Sequence, residues 1–482
     1  MLNWLQQIPE DLLRAHAKLY LDYVWALEGA ARYSEADDCL NYLDTVARND
    51  PYIQGRVAIL RTFIASDRGD FQGTERHARR ALEILSKDDV GVSLVSGPLA
   101  GMYMSQGRFA EAEPLIRSNY EAIRRAGSVN NAVMPLTYVG FITFLRGQLH
   151  EAVEVYQEAI ELAARNPNTA TTCLAHLLLG SVHYEWNNLG EAACQQQLAV
   201  DTYRSSKIFG SMDLDTAYLH LARTRAAMGD YREASRALDS ADRILSRGEA
   251  SPLRMARDAA FHAVTASLMG ETAGANGWVD NLLKIEGVAH TDAFITALQL
   301  VVARKGKADA DRMLKGMYEF SAAQGLRTYM AWIRGLQALN STDTDATLVW
   351  LDEALAIGRP EGFIRTFADA GASLTPMLRQ AMSQGDEREY AGRLLAIIQT
   401  EDRRRREHQD GRVPIAQSSE SLSEREMEVL RLVAAGLSNR QITERLHISL
   451  NTVKRHIYNV SQRLQVGSRT QAVAKARELK LL

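Results

Sequence analysis

Asn451, Arg455, Tyr458 and Gln462 follow one another at steps of four, three and four residues, with Lys454 beside them. At about 100° per residue these side chains share one face of a helix. They carry amide, guanidinium and phenol groups, which suit hydrogen bonding to base edges in the major groove of DNA. Val453, Ile457, Val460 and Leu464 fall on the other side, at the i, i+4, i+7, i+11 spacing of a buried stripe. The chemistry on offer is recognition rather than bond making. An isolated helix of this kind is more often a solvated surface, so the neighbouring segments must decide.

Those neighbours supply a positioning frame. Three further helices are expected, from Ser423 to Ala435 with Gly436 closing it, from Ser438 to Leu446, and from Ser468 to about Lys480. Ser423 with Glu426, Ser438 with Gln441, and Ser468 with Gln471 form S-x-x-E/Q capping boxes. Leu422 with Met427, Leu437 with Ile442, and Ile448 with Val453 have the spacing of hydrophobic staples. Four short helices with a tight turn between the second and third form a helix-turn-helix arrangement.

The run Leu422-Ser-Glu-Arg-Glu426, Ala435-Gly-Leu-Ser-Asn439, Gln441-Ile442, Thr452-Val-Lys-Arg-His456, Arg463-Leu-Gln-Val466 and Arg469 closely resembles the LuxR-type DNA-binding domain over about sixty residues. The resemblance implies that the third helix enters the major groove. It carries base or groove contact onto Lys454, Arg455 and Tyr458, beside Asn451 from the facial reading. Phosphate contact falls on nearby polar residues, with Thr452, Asn459, Arg440 and Arg469 as candidates. It further implies a homodimer on double-stranded DNA, paired through the fourth helix with Val473 and Ala476 in the seam, and RNA polymerase as a partner. Thr443 and Ser461 depart from the family's usual residues and bear on packing, not on the reading face.

Charge follows the same division. Residues 421–482 hold 11 Lys and Arg against 5 Asp and Glu, whereas residues 1–420 hold 45 against 54. A basic end on an acidic body fits a nucleic-acid module attached to a ligand- or protein-binding one. Catalytic signatures are missing. Gly306-Lys307-Ala308 lacks the upstream glycine and following hydroxyl of a P-loop, and no G-x-S-x-G, H-E-x-x-H or G-x-G-x-x-G occurs. Cys39, Cys173 and Cys194 form no C-x-x-C pair, so neither a disulfide framework nor a zinc site is expected. No signal peptide or run of eighteen apolar residues is read. The expectations are therefore no enzyme activity, no cofactor, no metal, no membrane association and a cytoplasmic location.

The body repeats. Tyr33-Ser-Glu-Ala36, Phe71-Gln-Gly-Thr74, Phe109-Ala-Glu-Ala112, Leu149-His-Glu-Ala152, Leu189-Gly-Glu-Ala192 and Tyr231-Arg-Glu-Ala234 recur at steps of 38 to 42 residues, and Gly69, Gly107, Gly147 and Gly229 each stand two residues before a lead. This is a helical hairpin repeated along a solenoid. The repeat resembles the tetratricopeptide repeat, drawn out as in the superhelix of MalT-like regulators. Trp4-Leu-Gln-Gln-Ile-Pro9 and the stretch from Leu355 to Phe367 are similar to segments of that family as well. The family resemblance also implies an ATPase module ahead of the superhelix, which this sequence lacks, either as a shortened member or as a piece of a longer reading frame.

The fold class expected is thus all-α: a tetratricopeptide-like α-solenoid over residues 1–367, terminal helices over 368–400, a flexible linker over 401–421 and a four-helix LuxR-type helix-turn-helix domain over 422–482. The terminal helices are placed from Leu374 to Met382 and from Arg388 to Gln399. After Asp230 the repeats blur. A concave solenoid face commonly binds small molecules or proteins. Its aromatic candidates are Tyr103, Tyr138, Phe141, Phe144, Tyr184 and Trp186, with His183, although packing between repeats accounts for such residues more often. The function expected is a sequence-specific transcriptional regulator, an activator, whose body binds an effector or protein partner. The alternative is an interaction scaffold whose C-terminal domain does not bind DNA.

Overall fold

The computed structural model describes residues 2–85, 90–125, 129–164, 172–205, 214–246, 252–285, 292–409, 424–446, 453, 457, 460, 466, 469–478 and 481. Among them every regular element is helical. Contacts divide the chain into two units, Met1–Arg405 and Arg406–Leu482.

The repeat leads open helices. Tyr33–Val46, Phe71–Ile84, Phe109–Arg125, Leu149–Ala164, Leu189–Ser205 and Tyr231–Leu245 each begin on the residue that the motif singles out. Each packs against the helix before it, as Leu189–Ser205 does against Thr172–Glu185. The fourth motif position explains the approach: Ala36, Thr74, Ala112, Ala152, Ala192 and Ala234 are all 0% exposed. A larger side chain there would hold the paired helices apart.

The tight turn two residues before each lead needs a left-handed backbone. Gly147 and Gly229 supply it with φ of 77° and 83°. In the two hairpins that lack the glycine, Ala31 and Asn187 adopt φ of 55° and 56° at the same place. The geometry also continues beyond the legible motif. Gly270 has φ of 82°, Thr272–Leu282 opens two residues later, and Ala275 is buried at the fourth position. Thr272 replaces the apolar lead, which is why the sequence pattern fades while the hairpin persists.

The first unit then returns on itself. The Thr328 hydroxyl donates to the Phe144 carbonyl at 2.6 Å, and the Phe109 N–H donates to Gln324 Oε1 at 2.8 Å. Ile364 N–H donates to the Glu185 carbonyl at 2.9 Å, and Trp186 Nε1 to the Glu361 carbonyl at 2.7 Å. The late helices therefore pack across the middle hairpins rather than extending an open array.

The terminal helices are Thr375–Gln384 and Arg388–Gln409. The second corrects the expected linker start at residue 401. Glu401 pairs with the fully buried Arg365 at 2.5 Å and lies 3.5 Å from Arg405 one turn on, which holds this segment helical and in the first unit. Residues 410–423, where the rest of the expected linker falls, lie outside the described residues. No helix of the described residues is long and apolar enough to cross a membrane.

In the second unit, Glu424–Ala434, Asn439–Leu446 and Arg469–Glu478 are helices. Gly436 closes the first with φ of 84°, and its N–H and that of Leu437 return to Val433 and Leu432 carbonyls. The Ser438–Gln441 box is reciprocal: the Ser438 N–H donates to Gln441 Oε1 at 2.8 Å and the Gln441 N–H to Ser438 Oγ at 3.3 Å. Its staple closes too, with Leu437 and Ile442 in one cluster with Val429, Val433 and Val453. The Ser423 and Ser468 caps and the Leu422 and Ile448 staple positions fall outside the described residues.

Candidate functional site

Of the third helix of the second unit, Val453, Ile457 and Val460 are described, and all three are helical. Val453 is 0% and Val460 3% exposed, and both face the domain core with Val429, Leu430 and Ala472. This is the apolar stripe expected from their spacing. Asn451, Thr452, Lys454, Arg455, Tyr458 and Asn459 lie outside the described residues.

Arg440 is exposed in the first turn of Asn439–Leu446. Arg469 is half-buried: its guanidinium donates to Asn439 Oδ1 at 3.0 Å and to the Leu437 carbonyl, tying the fourth helix to the entry of the second. Ala476 is 0% exposed against Leu430 and Val460, and Val473 packs on the Val429 cluster. The expected dimer seam is corrected for Ala476, because a residue enclosed by its own domain cannot meet a partner, while Val473 is only partly buried; the exposed positions of that helix include Ala474 and Arg477.

The first unit encloses a cavity of about 300 Å³. Four of the expected aromatic residues, Tyr138, Phe141, Phe144 and Tyr184, meet there. Tyr103, His183 and Trp186 do not. Tyr103 is buried with the Arg108 guanidinium 4.3 Å above its ring, and Trp186 stacks near His150 and His183 at the contact with Glu361. Late helices complete the wall with Trp332 and Tyr329, and the hairpin helices Leu214–Met228 and Pro252–Leu268 add His220, Arg223, Arg257 and Phe261.

One side of the cavity is a charged lattice. Arg365, its side chain 0% exposed, pairs with Asp369 and Glu401 and reaches Asn187 Oδ1 at 3.2 Å. Burial alone would push its pKa down; Asp369, Tyr184 and Glu401 more than reverse this, so it stays charged. Tyr184 donates to Asp369 Oδ2 at 2.8 Å. Glu185 Oε1 accepts the Thr366 N–H at 2.8 Å, and burial raises its pKa to about 7 against the opposing Thr366 hydrogen bonds. Burial, then Arg223 and Arg257, holds His220 well below the ordinary histidine value.

Sequence reasoning missed these polar residues. One signal was present: Arg365 interrupts the apolar run Phe363-Ile-Arg-Thr-Phe367, and a charge inside such a run calls for a buried partner. Arg223 and Arg257 carry no comparable mark, since each is one of two arginines on its helix.

Comparison with known proteins agrees with this division. The MalT-like TPR region matches residues 55–384, and the model for bacterial regulatory proteins of the luxR family matches residues 420–476. The HTH-type transcriptional regulator MalT of Serratia proteamaculans is 24% identical, over 98% of this chain and 55% of that protein. MalT of Cronobacter sakazakii is 26% identical with the same coverage. The chain thus spans about half the length of these relatives. Among solved structures, NprR in complex with its cognate peptide NprX is similar to 66% of this chain and 88% of its own, at 11% identity and a TM-score of 0.49.

Proposed function

We propose, for a chain that belongs to the MalT-like TPR family and carries a luxR-family domain at its end, a sequence-specific transcription regulator whose helical body binds an effector. The observation that carries the reading is the luxR-family match over residues 420–476, in a segment whose basic excess contrasts with the acidic body. The burial of Val453 and Val460 supports it, because both fall on the apolar stripe expected from their spacing.

On this reading Arg455, with Asn451, Lys454 and Tyr458, reads base edges, while Thr452, Asn459 and Arg440 hold phosphates. Arg469 sets the fourth helix against the second and reaches phosphate with the guanidinium edge left over. The protein binds DNA as a homodimer through the exposed side of Arg469–Glu478 and activates through RNA polymerase. The cavity of the first unit is the effector site.

Gel-shift titration of the full chain on genomic fragments tests the proposal. A subset of fragments is expected to bind well above the remainder. Arg455→Ala then loses that preference, by roughly 1–3 kcal/mol for a bidentate base contact. Arg469→Ala weakens all fragments alike and reduces the salt dependence. Binding that never exceeds the non-specific level would replace the regulator reading with the scaffold one.

A further inference from the structure

We propose that the cavity of the first unit binds a small organic anion, a carboxylate on an apolar body, with Arg223 and Arg257 as the pair that holds the charge. The inference rests on the effector site assigned above and names the chemistry of its ligand.

The remaining charged groups around the cavity have partners, although Arg365 Nε, like Arg223 Nε, is buried without an acceptor. Arg365 is neutralised by Asp369 and Glu401, Asp369 also accepts the Tyr184 hydroxyl, and Glu185 accepts the Thr366 N–H. Among the described residues neither Arg223 nor Arg257 has a carboxylate within ion-pair distance; the Glu185 carboxyl feels Arg223 but spends its Oε1 on the Thr366 N–H. Arg223 lies with its guanidinium 4.1 Å from the Tyr184 ring and 5.2 Å from the Phe261 ring. Its Nε is buried without a hydrogen-bond acceptor. Leaving such a donor unmet is costly, and a ligand oxygen removes the cost.

The aromatic rings orient the guanidinium, whose planar fork matches a carboxylate. Arg257 comes from the adjacent helix Pro252–Leu268 and faces the same space. Burial first, and then Arg223 and Arg257, keeps His220 neutral, so it adds no charge of its own to the pair. A cation would be repelled, and a neutral ligand would leave two half-buried guanidinium groups without a counter-charge.

The rest of the wall sets the body of the ligand. Phe141, Phe144, Leu177, Val264 and Trp332 offer apolar surface. The volume of about 300 Å³ is at the lower end of the roughly 300–1,000 Å³ typical of small-molecule sites.

The test uses the full chain and the fluorescent amphiphilic anion 1-anilinonaphthalene-8-sulfonate, displaced by octanoate or by its neutral counterpart octan-1-ol. Saturable binding near one probe per chain is expected, with octanoate displacing it at concentrations at least tenfold below octan-1-ol. Arg257→Gln, and separately Arg223→Gln, should erase that preference while leaving displacement by octan-1-ol unchanged. Arg257→Gln guards against a folding defect, because Arg257 does not support the Tyr184 and Phe261 rings as Arg223 does. Equal displacement by the two competitors, a preference that survives both substitutions, or no saturable binding to the folded chain would each overturn the proposal. DNA retardation measured on the same samples separates the two readings: loss of ligand binding with intact sequence-specific retardation removes the anion site alone.

Discussion

Glu185 ties the cavity wall to the late helices by accepting the Thr366 N–H, and it does so fully buried. Its folded pKa of about 7 lies above the ordinary 4.5, so the folded state holds the proton more tightly than the unfolded one. The resulting stabilisation is complete below 4.5 and is lost as pH rises through 7, a change of about 3 kcal/mol. Glu185→Gln keeps an oxygen for Thr366 but cannot ionise. Urea midpoints at pH 5 and pH 8 should fall further apart for the natural chain than for the variant. Identical pH dependence would show that the carboxyl does not titrate differently on folding.

Single turn residues fix the geometry of whole hairpins. Gly229 and Gly147 occupy the same left-handed turn position, but a Cβ at Gly229 would meet open space, whereas one at Gly147 would lie 3.0 Å from the Arg327 Cβ. Gly229→Ala should therefore cost only the backbone term, about 1–2 kcal/mol. Gly147→Ala should cost more, because it also presses on the returning helix Arg327–Asn340. Denaturant titration of the two variants separates backbone strain from contact between distant hairpins. The turns themselves are legible in sequence because glycine at a fixed offset has a local cause. Ala31 shows the limit, since an alanine holds the same φ without advertising it, whereas Asn187 is of the type that most readily replaces glycine there.

Across the first unit, closure depends on Arg365, which joins Asp369 and Glu401 and so links the short segment Arg365–Ala368 to the last helix. Arg365→Ala leaves two largely buried carboxylates facing one another. A loss of about 3–5 kcal/mol is expected for breaking such a pair, read as a fall in the urea midpoint of the full chain. A loss near zero would mean that the backbone contacts at Glu185 and Glu361 hold the closure without it.

The repeat, its turns and the stripe of Val453, Ile457 and Val460 were readable in the sequence because each rests on neighbours within a turn or two of helix. The Ser438–Gln441 cap belongs with them. The cavity was not readable. Tyr138, Tyr184, Arg223 and Arg257 come from successive hairpins, and Trp332 closes the cavity over them only because the late helices fold back onto the middle ones. Local spacing sets which side of a helix a residue faces; what stands opposite that face is fixed by the closure of the superhelix, which no short-range pattern encodes.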